Sequence, residues 1–355
     1  MKIKDLCSYA PKSRIKAGEA VENAKYLFFT SSADENKRYT DFQFDKEAII
    51  MGTGGNATLH YYNGKFSVST DCLVLFPNSK IKCKYLYYFF KSHMSVLEAG
   101  FKGAGLKHTN KKYIEEINVS KVPDLSIQEK IVSHLDTITE NIEKLNRELE
   151  LFDSLTKARF IEMFGDPVAD TKNWGQTLLK EHLESIKYGT STPPIFTDDG
   201  YAFIRATNIK NGKIVTNDMK YIPQEEADRL EKCKLSGGEI IIVRSGVNAG
   251  DTCIVTDEYI GQYAGYDMIL VLSSDLHPVF FNTLINTEYM DKVVKPLTRR
   301  AAQPHLNSEQ TQRLPIIEVP FELQEQFADF VKQVDKSRFD IKKSIIELER
   351  EVVYD

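Results

Sequence analysis

Gly52-Thr53-Gly54-Gly55, which follows the strand-like run Ala48-Ile49-Ile50, has the residue types of a phosphate-cradling loop. Such a loop aims backbone N–H groups and a helix N-terminus at a pyrophosphate, so a helix must come after it. The next residues, TLHYYNGKFSV, instead alternate apolar and polar as a strand does, and the glycines read as a tight turn in a sheet. Thr192-Pro193-Pro194-Ile195 has the outline of the Asp/Asn-Pro-Pro-aromatic motif of amino-methyltransferases. That chemistry needs an amide or carboxylate acceptor at the first position and a stacking ring at the last. Threonine and isoleucine supply neither, and no glycine-rich cofactor loop comes before them. GxSxG, HExxH and Walker A sequences are absent, and no Asp…Glu-x-Lys nuclease arrangement stands in a plausible setting. The seven histidines do not gather at ligand spacing. The five cysteines (Cys7, Cys72, Cys83, Cys233, Cys253) form no CxxC pair and are odd in number, against a zinc site or disulfide framework and for a reducing cytoplasm. The expected protein is non-catalytic, with no metal or cofactor of its own.

A chain of 355 residues, 42% hydrophobic and 27% charged, has the make-up of an ordinary globular protein of about two domains. Nothing in it approaches the ~20 uninterrupted apolar residues of a membrane span. The opening MKIKDLCSYAPK has no apolar core of a secretory signal, so a cytoplasmic protein without a membrane partner is expected. The net charge of −5 is unevenly spread. Residues 1–125 hold 19 basic and 13 acidic side chains, a net +6, while 126–170 carry −5 and 171–320 and 321–355 carry −3 each. A locally basic surface can bind phosphate whatever the total charge.

Two stretches resemble each other: VPDLSIQEKI at 122–131 and VPFELQEQF at 319–327. After the first, apolar residues fall at Ile131, Leu135, Ile138, Ile142, Leu145, Leu149 and Phe152, and after the second at Phe327, Val331, Val334, Ile341, Ile345, Leu348 and Val352. Steps of 3 and 4 make each a coiled-coil seam. Arg338 is the one charged seam position, a residue type that fixes register at some cost in stability. Ser126 with Glu129 reads as a capping-box start for the first helix, and Gly165-Asp166-Pro167 as its end. Both helices exceed 30 residues and are mostly charged off the seam, so they are expected to pair as an antiparallel coiled coil.

The repeat extends into the intervening blocks. Ile49-Ile50-Met51-Gly52-Thr53-Gly54-Gly55-Asn56-Ala57 aligns by eye with Ile241-Ile242-Val243-Arg244-Ser245-Gly246-Val247-Asn248-Ala249. Each is followed by alternating residues, an Asp before an apolar run (Asp71, Asp267), an aromatic-rich helical segment, and a polar loop holding a histidine, GLKHTN or QPHLN. The expected fold is α+β: two similar mixed α/β domains separated by two long helices, with pseudo-twofold internal symmetry. The expected boundaries are 1–124 and 166–320 for the domains and 125–165 and 321–355 for the helices.

This order of domain, helix with IQEKI…LDTITENIEKL, a RFIEMFGDP exit, domain, and QEQF…VDK helix resembles the specificity subunit of a type I restriction-modification system. Trp174, Leu178, Leu183, Ile186, the loop Tyr188-Gly189-Thr190-Ser191-Thr192-Pro193 and the entry LPIIEVPFELQEQ carry the likeness further. The first domain departs from it, with Tyr9-Ala10-Pro11-Lys12 where the Gly-Thr-x-Thr-Pro loop is expected. The resemblance implies two target recognition domains, each reading half of a split, asymmetric site on double-stranded DNA. It implies spacer helices that dock two modification subunits, and restriction (motor-nuclease) subunits beyond them. S-adenosylmethionine and ATP are then expected in those partners and not in this chain. A helix of about 35 residues spans roughly 50 Å, the length of about 15 base pairs, and so can act as a ruler.

Base edges call for Arg, Lys, Asn, Gln, Ser, Thr or His in loops, and phosphates for Lys, Arg and backbone N–H groups. The candidates in the first domain are Lys12, Arg14, Asn56, Thr58, His60, Lys107, His108 and Lys111. In the second they are Lys187, Thr190, Thr192, Arg205, Asn208, Arg244, Asn248, Arg299, Arg300, Gln303 and His305. His108 and His305 occupy equivalent places in the two copies, and Gly52, Gly54 and Gly246 are expected to shape turns. The competing reading is a structural adaptor with two protein-binding domains on a coiled-coil spacer. A fused fragment with its own methyltransferase activity is a third, opposed by the missing motifs.

Overall fold

The computed structural model describes residues 1–103, 105–298 and 303–354. They form two compact units, 1–146 with 343–355, and 147–342. Each unit therefore takes part of both long helices. No helix among the described residues is long and apolar enough to cross a membrane.

The first unit is built on a six-stranded sheet. Its strands, in spatial order, are Cys7–Tyr9, Cys72–Pro77, Phe44–Gly52, Leu59–Val68, Tyr26–Phe29 and Arg38–Tyr39. All neighbours are antiparallel except Tyr26–Phe29 against Leu59–Val68. Successive side chains of a strand point to opposite faces, and in Phe44–Gly52 both faces are buried from Ala48 onward. Ile49 and Met51 pack with Leu86 and Phe90 of the helix Cys83–Ser92, while Ala48 and Ile50 pack with Phe29, Phe66 and Val74.

The second unit repeats this core. Its main sheet has the antiparallel order Thr252–Ile254, Ile240–Ile242, Met268–Leu272, Leu183–Tyr188. Ile240 and Ile242 face Phe280, Phe281 and Leu284 of the helix Pro278–Ile285, and Ile241 faces Ile204, Ile209 and Cys253. The longer stretch between Tyr188 and Glu239 adds the strands Tyr201–Ile204 and Lys220–Ile222, the helix Gln224–Arg229 and a further small core around Phe203 and Tyr263.

The face assignments correct the alignment made from sequence. Met51 pairs with Leu59 where Ile242 pairs with Thr252, and Ile49 and Met51 face the helix as Ile240 and Ile242 do. Met51 therefore corresponds to Ile242, one residue away from the match by eye. A one-residue slip exchanges the two faces of a strand, which a run of isoleucines, buried on both sides, does not reveal.

The long helices are Leu125–Phe164 and Phe321–Tyr354. The first begins one residue before Ser126: the Asp124 carbonyl accepts from the amides of Ile127 and Gln128, so Asp124 holds the cap position expected of Ser126. It ends at Gly165, whose positive φ of 78° suits glycine. In the first unit Leu135 and Ile138 are buried against Tyr88, with Ile131, Ile142, Leu348 and Val352 packed around them. In the second unit Phe160, Phe164, Phe280 and Phe327 stack edge-on and tilted at centroid distances of 4.9–5.5 Å. Further along the second helix Arg338 meets Leu149 and Asp153, further back on the first, so the helices run antiparallel there. Leu145, Leu149, Phe152, Val334, Ile341 and Ile345 are likewise buried or half-buried, between exposed charged neighbours.

Candidate nucleic-acid interface

In the second unit Arg244, Asn248, Gln303 and His305 meet at a hairpin tip, 244–250, between the strands Ile240–Ile242 and Thr252–Ile254. The Gly246 amide donates to the Pro304 carbonyl at 3.1 Å and the Leu306 amide to the Arg244 carbonyl at 2.8 Å, fastening the histidine loop onto the tip. Ser245 Oγ and His305 Nδ1 are 2.9 Å apart. The loop after Tyr188 is held alongside, because the Gly189 amide donates to the Asp267 carbonyl at 2.8 Å. The Arg244 guanidinium lies 4.8 Å from the centroid of the Tyr188 ring, a cation–π arrangement that limits its freedom before any ligand arrives. Tyr188 Oη in turn accepts from the Ser308 amide.

Behind the tip, Asp267 meets Arg244 through the backbone. The Arg244 backbone amide donates to Asp267 Oδ1 at 2.9 Å, but Arg244 Nε and Asp267 Oδ2 are buried with no hydrogen-bond partner among the described residues. Burial pushes the Asp267 carboxyl above its ordinary value, and the amide and charge of Arg244 oppose that shift. Val247, 92% exposed, projects at the end of the tip, and Gln303 is exposed beside Gly246.

The first unit builds the same frame from different side chains. The Gly55 amide donates to the Lys107 carbonyl at 2.9 Å and the Thr109 amide to the Thr53 carbonyl at 3.0 Å. This bridge is equivalent to the one in the second unit, with Gly55 (φ 84°) in the place of Gly246 (φ 93°). Both positions need the left-handed conformation open to glycine. Gly52 is required for another reason: a Cβ there would be 2.2 Å from Thr58 Oγ1 and 2.7 Å from Ser31 Cα. Gly54 has ordinary φ, and the His108 ring packs over it. Ser31 Oγ donates to the Asp71 carbonyl and receives the Thr53 amide, closing the base of the tip.

Of the candidates named from sequence, the structure brings Asn56, Lys107 and His108 together at the first tip, all exposed. Lys12 and Arg14 are exposed on either side of buried Ser13, and the Ile15 carbonyl next to them ties to the Thr70 amide beside Asp71. Lys111 comes just after the histidine loop, its ammonium 4.6 Å from the centre of the Tyr9 ring and 3.5 Å from Glu115. Thr190 and Thr192 form a local turn through the Thr190 hydroxyl. Asn248 is half-buried in the second tip, and its carbonyl accepts from the Asp251 amide. Lys187, half-buried, lines a cavity of about 500 Å³ with Gly237, Glu239 and His277.

Two assignments, His60 and Asn208, need correction, and two further candidates, Thr58 and Arg205, have partners inside the fold. His60 is only 4% exposed, its ring tilted against Phe29 and hydrogen-bonded to Glu35 at 2.8 Å, so it is a core residue. Asn208 is fully buried, donating to the carbonyls of Val215 and Asn217 and accepting from the Arg205 amide. Thr58 closes the first hairpin by receiving the Gly52 amide. Arg205 is committed to Asp218 at 3.0 Å. Arg299 and Arg300 lie outside the described residues. Sequence reasoning missed Ser31, Tyr188 and Ser245 as site builders; Asp267 was noticed only as a repeat marker.

The second tip sets a hydroxyl beside an imidazole, Ser245 Oγ and His305 Nδ1, and the first has Gly54 at the position of Ser245. All five cysteines are buried free thiols, and burial raises each thiol pKa, that of Cys7 to about 12 and that of Cys72 to about 11. Thiolate chemistry at neutral pH is thereby disfavoured. No group of three or more His, Cys, Asp or Glu able to hold a metal occurs among the described residues. Both tips offer a set of hydrogen-bond donors and acceptors on a rigid frame.

Such a frame, made twice and attached to long paired helices, defines a protein of duplicated recognition domains. The family model for the type I restriction modification DNA specificity domain matches residues 1–151 and 173–350, and the chain belongs to that family. It is 22% identical over 311 residues to the MjaVIII specificity subunit of Methanocaldococcus jannaschii, covering 82% of this chain and 72% of that one. Over 145 residues it is 34% identical to the MpnII specificity subunit of Mycoplasma pneumoniae, covering 38% of this chain and 41% of that one. In fold it is similar to the crystal structure of the S subunit from M. genitalium, with a TM-score of 0.61, 16% identity, and coverage of 99% of this chain and 93% of that one.

Proposed function

We propose that this chain is the DNA-reading subunit of a type I restriction-modification complex, each unit contacting one half of a bipartite, asymmetric site. The observation that carries the reading is the repeated frame: a hairpin tip bridged to a histidine loop by the same two backbone hydrogen bonds, dressed with Asn56, Lys107 and His108 in one unit and with Arg244, Ser245, Gln303 and His305 in the other. A common frame with different donors and acceptors suits two readers of different base sequences. The net +6 of residues 1–125 favours phosphate contact by the first unit.

In this reading the chain performs no chemistry. It docks two modification subunits, which bind S-adenosylmethionine and methylate adenine, and restriction subunits, which use ATP to translocate and cut. The two helices, 40 and 34 residues long, span about 60 and 50 Å at 1.5 Å per residue and set the spacing between the half-sites.

The test is to produce the chain with its modification subunits and map methylated adenines on genomic DNA. A single bipartite motif, with binding that weakens steeply as salt rises, is the expected result. Salt-insensitive binding, or methylation without a bipartite motif, would overturn the reading.

A further inference from the structure

The repeated stretches VPDLSIQEKI and VPFELQEQF each contain a glutamine whose role the proposed function does not use. Gln128 is fully buried and Gln324 only 3% exposed. Each is the fourth residue of its helix, Leu125–Phe164 or Phe321–Tyr354. Neither side chain caps its own helix; each turns outward and makes three hydrogen bonds, all to backbone.

Gln128 Oε1 accepts from the Lys82 amide at 2.7 Å, and its Nε2 donates to the carbonyls of Lys80 (3.1 Å) and Pro123 (2.7 Å). Gln324 Oε1 accepts from the His277 amide at 2.8 Å, and its Nε2 donates to the carbonyls of Asp275 (3.2 Å) and Val319 (2.8 Å). Lys82 and His277 are the residues preceding the helices Cys83–Ser92 and Pro278–Ile285, which carry Leu86 and Phe90, and Phe280, Phe281 and Leu284, into the cores of the two units. Each glutamine therefore joins the start of a long helix to the start of the helix that covers its unit's sheet.

We propose that Gln128 and Gln324 are paired positioning residues, each locking a recognition unit onto its spacer helix and so fixing the distance at which the two half-sites are read. The chemistry selects glutamine. The site has one N–H donor and two carbonyl acceptors, and a primary amide at that reach satisfies all three. Because only backbone atoms are gripped, the joint accepts Lys80-Ile81-Lys82 in one unit and Asp275-Leu276-His277 in the other. It tolerates exchange of the unit's side chains and leaves the bases read to the tips. The inference rests on the DNA-reading function proposed above.

The experiment uses the full chain with its modification subunits and compares wild type with Gln128→Glu and Gln324→Glu. Glutamate keeps the volume but removes both donors and sets a carboxylate against two carbonyls. Methylation is mapped on a DNA library in which the spacer length varies. The expected result is unchanged bases in both half-sites, with methylation at spacers one base pair from the preferred length rising by about tenfold, the scale on which small misplacements alter rates. In parallel, amide hydrogen exchange on the wild-type chain is expected to find the Lys82 and His277 amides as protected as those of Leu86 and Phe281. Rapid exchange of those two amides in the folded wild type, or folded variants with the wild-type spacer profile, would overturn the proposal. A variant that fails to fold leaves the exchange measurement to decide. A wild type that methylates no bipartite site counts against the DNA-reading function, while the exchange still decides whether the joints are closed.

Discussion

Arg338 places a charge on the helix seam and allows a sharp test of what holds the seam together. Its side chain is 13% exposed; Nη2 is 2.7 Å from Asp153 Oδ1, Nη1 donates to the Leu149 carbonyl at 3.3 Å, and the guanidinium lies 5.5 Å from the centre of the Phe152 ring. Asp153 is 52% exposed, so the two partners stand in unequal environments. Asp153→Ala leaves a mostly buried guanidinium with one long carbonyl contact and the more distant Asp335, 3.6 Å from Nε. A lost charge-assisted bond to a buried group costs about 1.5–3 kcal/mol, and solvent screening of the half-exposed aspartate reduces this to about 1–2 kcal/mol. Arg338→Met removes the charge, keeps most of the stem and lets Asp153 return to water, so its cost is within about 1 kcal/mol of zero. For a unit of this size the expected fall in Tm for Asp153→Ala is about 3–6 °C, and Arg338→Met shifts Tm less. The double variant is expected to match Arg338→Met alone, since the two residues share one interaction. Thermal unfolding of the four proteins decides the matter. An Arg338→Met variant less stable than Asp153→Ala, or a double variant showing the sum of the two losses, would mean that the buried guanidinium does not depend on Asp153.

Arg244→Ala is expected to relax base preference in one half-site only and to reduce the salt dependence of binding by about one phosphate equivalent or less; footprinting in which both half-sites, or neither, change would count against it. One heptad inserted within 138–152 and matched by one within 334–348 adds about 10 Å of helix. The preferred spacer is expected to lengthen by about three base pairs with the same bases read, and an unchanged spacer in selected sites would sink the ruler. Asp267→Asn bears on pH. The folded-state pKa of Asp267 is raised by burial, so the folded protein binds its proton more tightly than the unfolded chain does. Wild-type stability contributed by this group is therefore lost as pH rises from the ordinary carboxylate range through the raised value. Asparagine does not titrate, and the Tm of Asp267→Asn relative to wild type is expected to increase between pH 3 and pH 7; a pH-independent difference would show that Asp267 is not buried as described.

The duplicated order of block and helix, the two heptad seams and the strand after Gly52-Thr53-Gly54-Gly55 were legible in the sequence, because periods of 2, 3.5 and 3.6 are properties of the backbone and leave a local trace. So was the pairing of His108 with His305, since the two polar loops fall at the same point in each repeat. The faces of the isoleucine strands were not legible. Where both faces are buried, the pattern loses its alternation, and only the packing of Leu86 or Phe281 shows which side is which. The partners of polar residues were also out of reach. His60 had the residue type of a base reader, but Glu35, distant in sequence, holds it in the core beside Phe29, and Asn208 is consumed by the carbonyls of Val215 and Asn217. The repeated Val-Pro and glutamine were conspicuous as text, yet their use depends on backbone atoms at 80–82 and 275–277 that no periodicity points to. Sequence alone thus carried the local periodicity of the elements and their duplication. Which polar side chains remain available to a ligand, and which are spent inside the fold, emerged only from the packed chain, because a hydrogen bond depends on who is near in space.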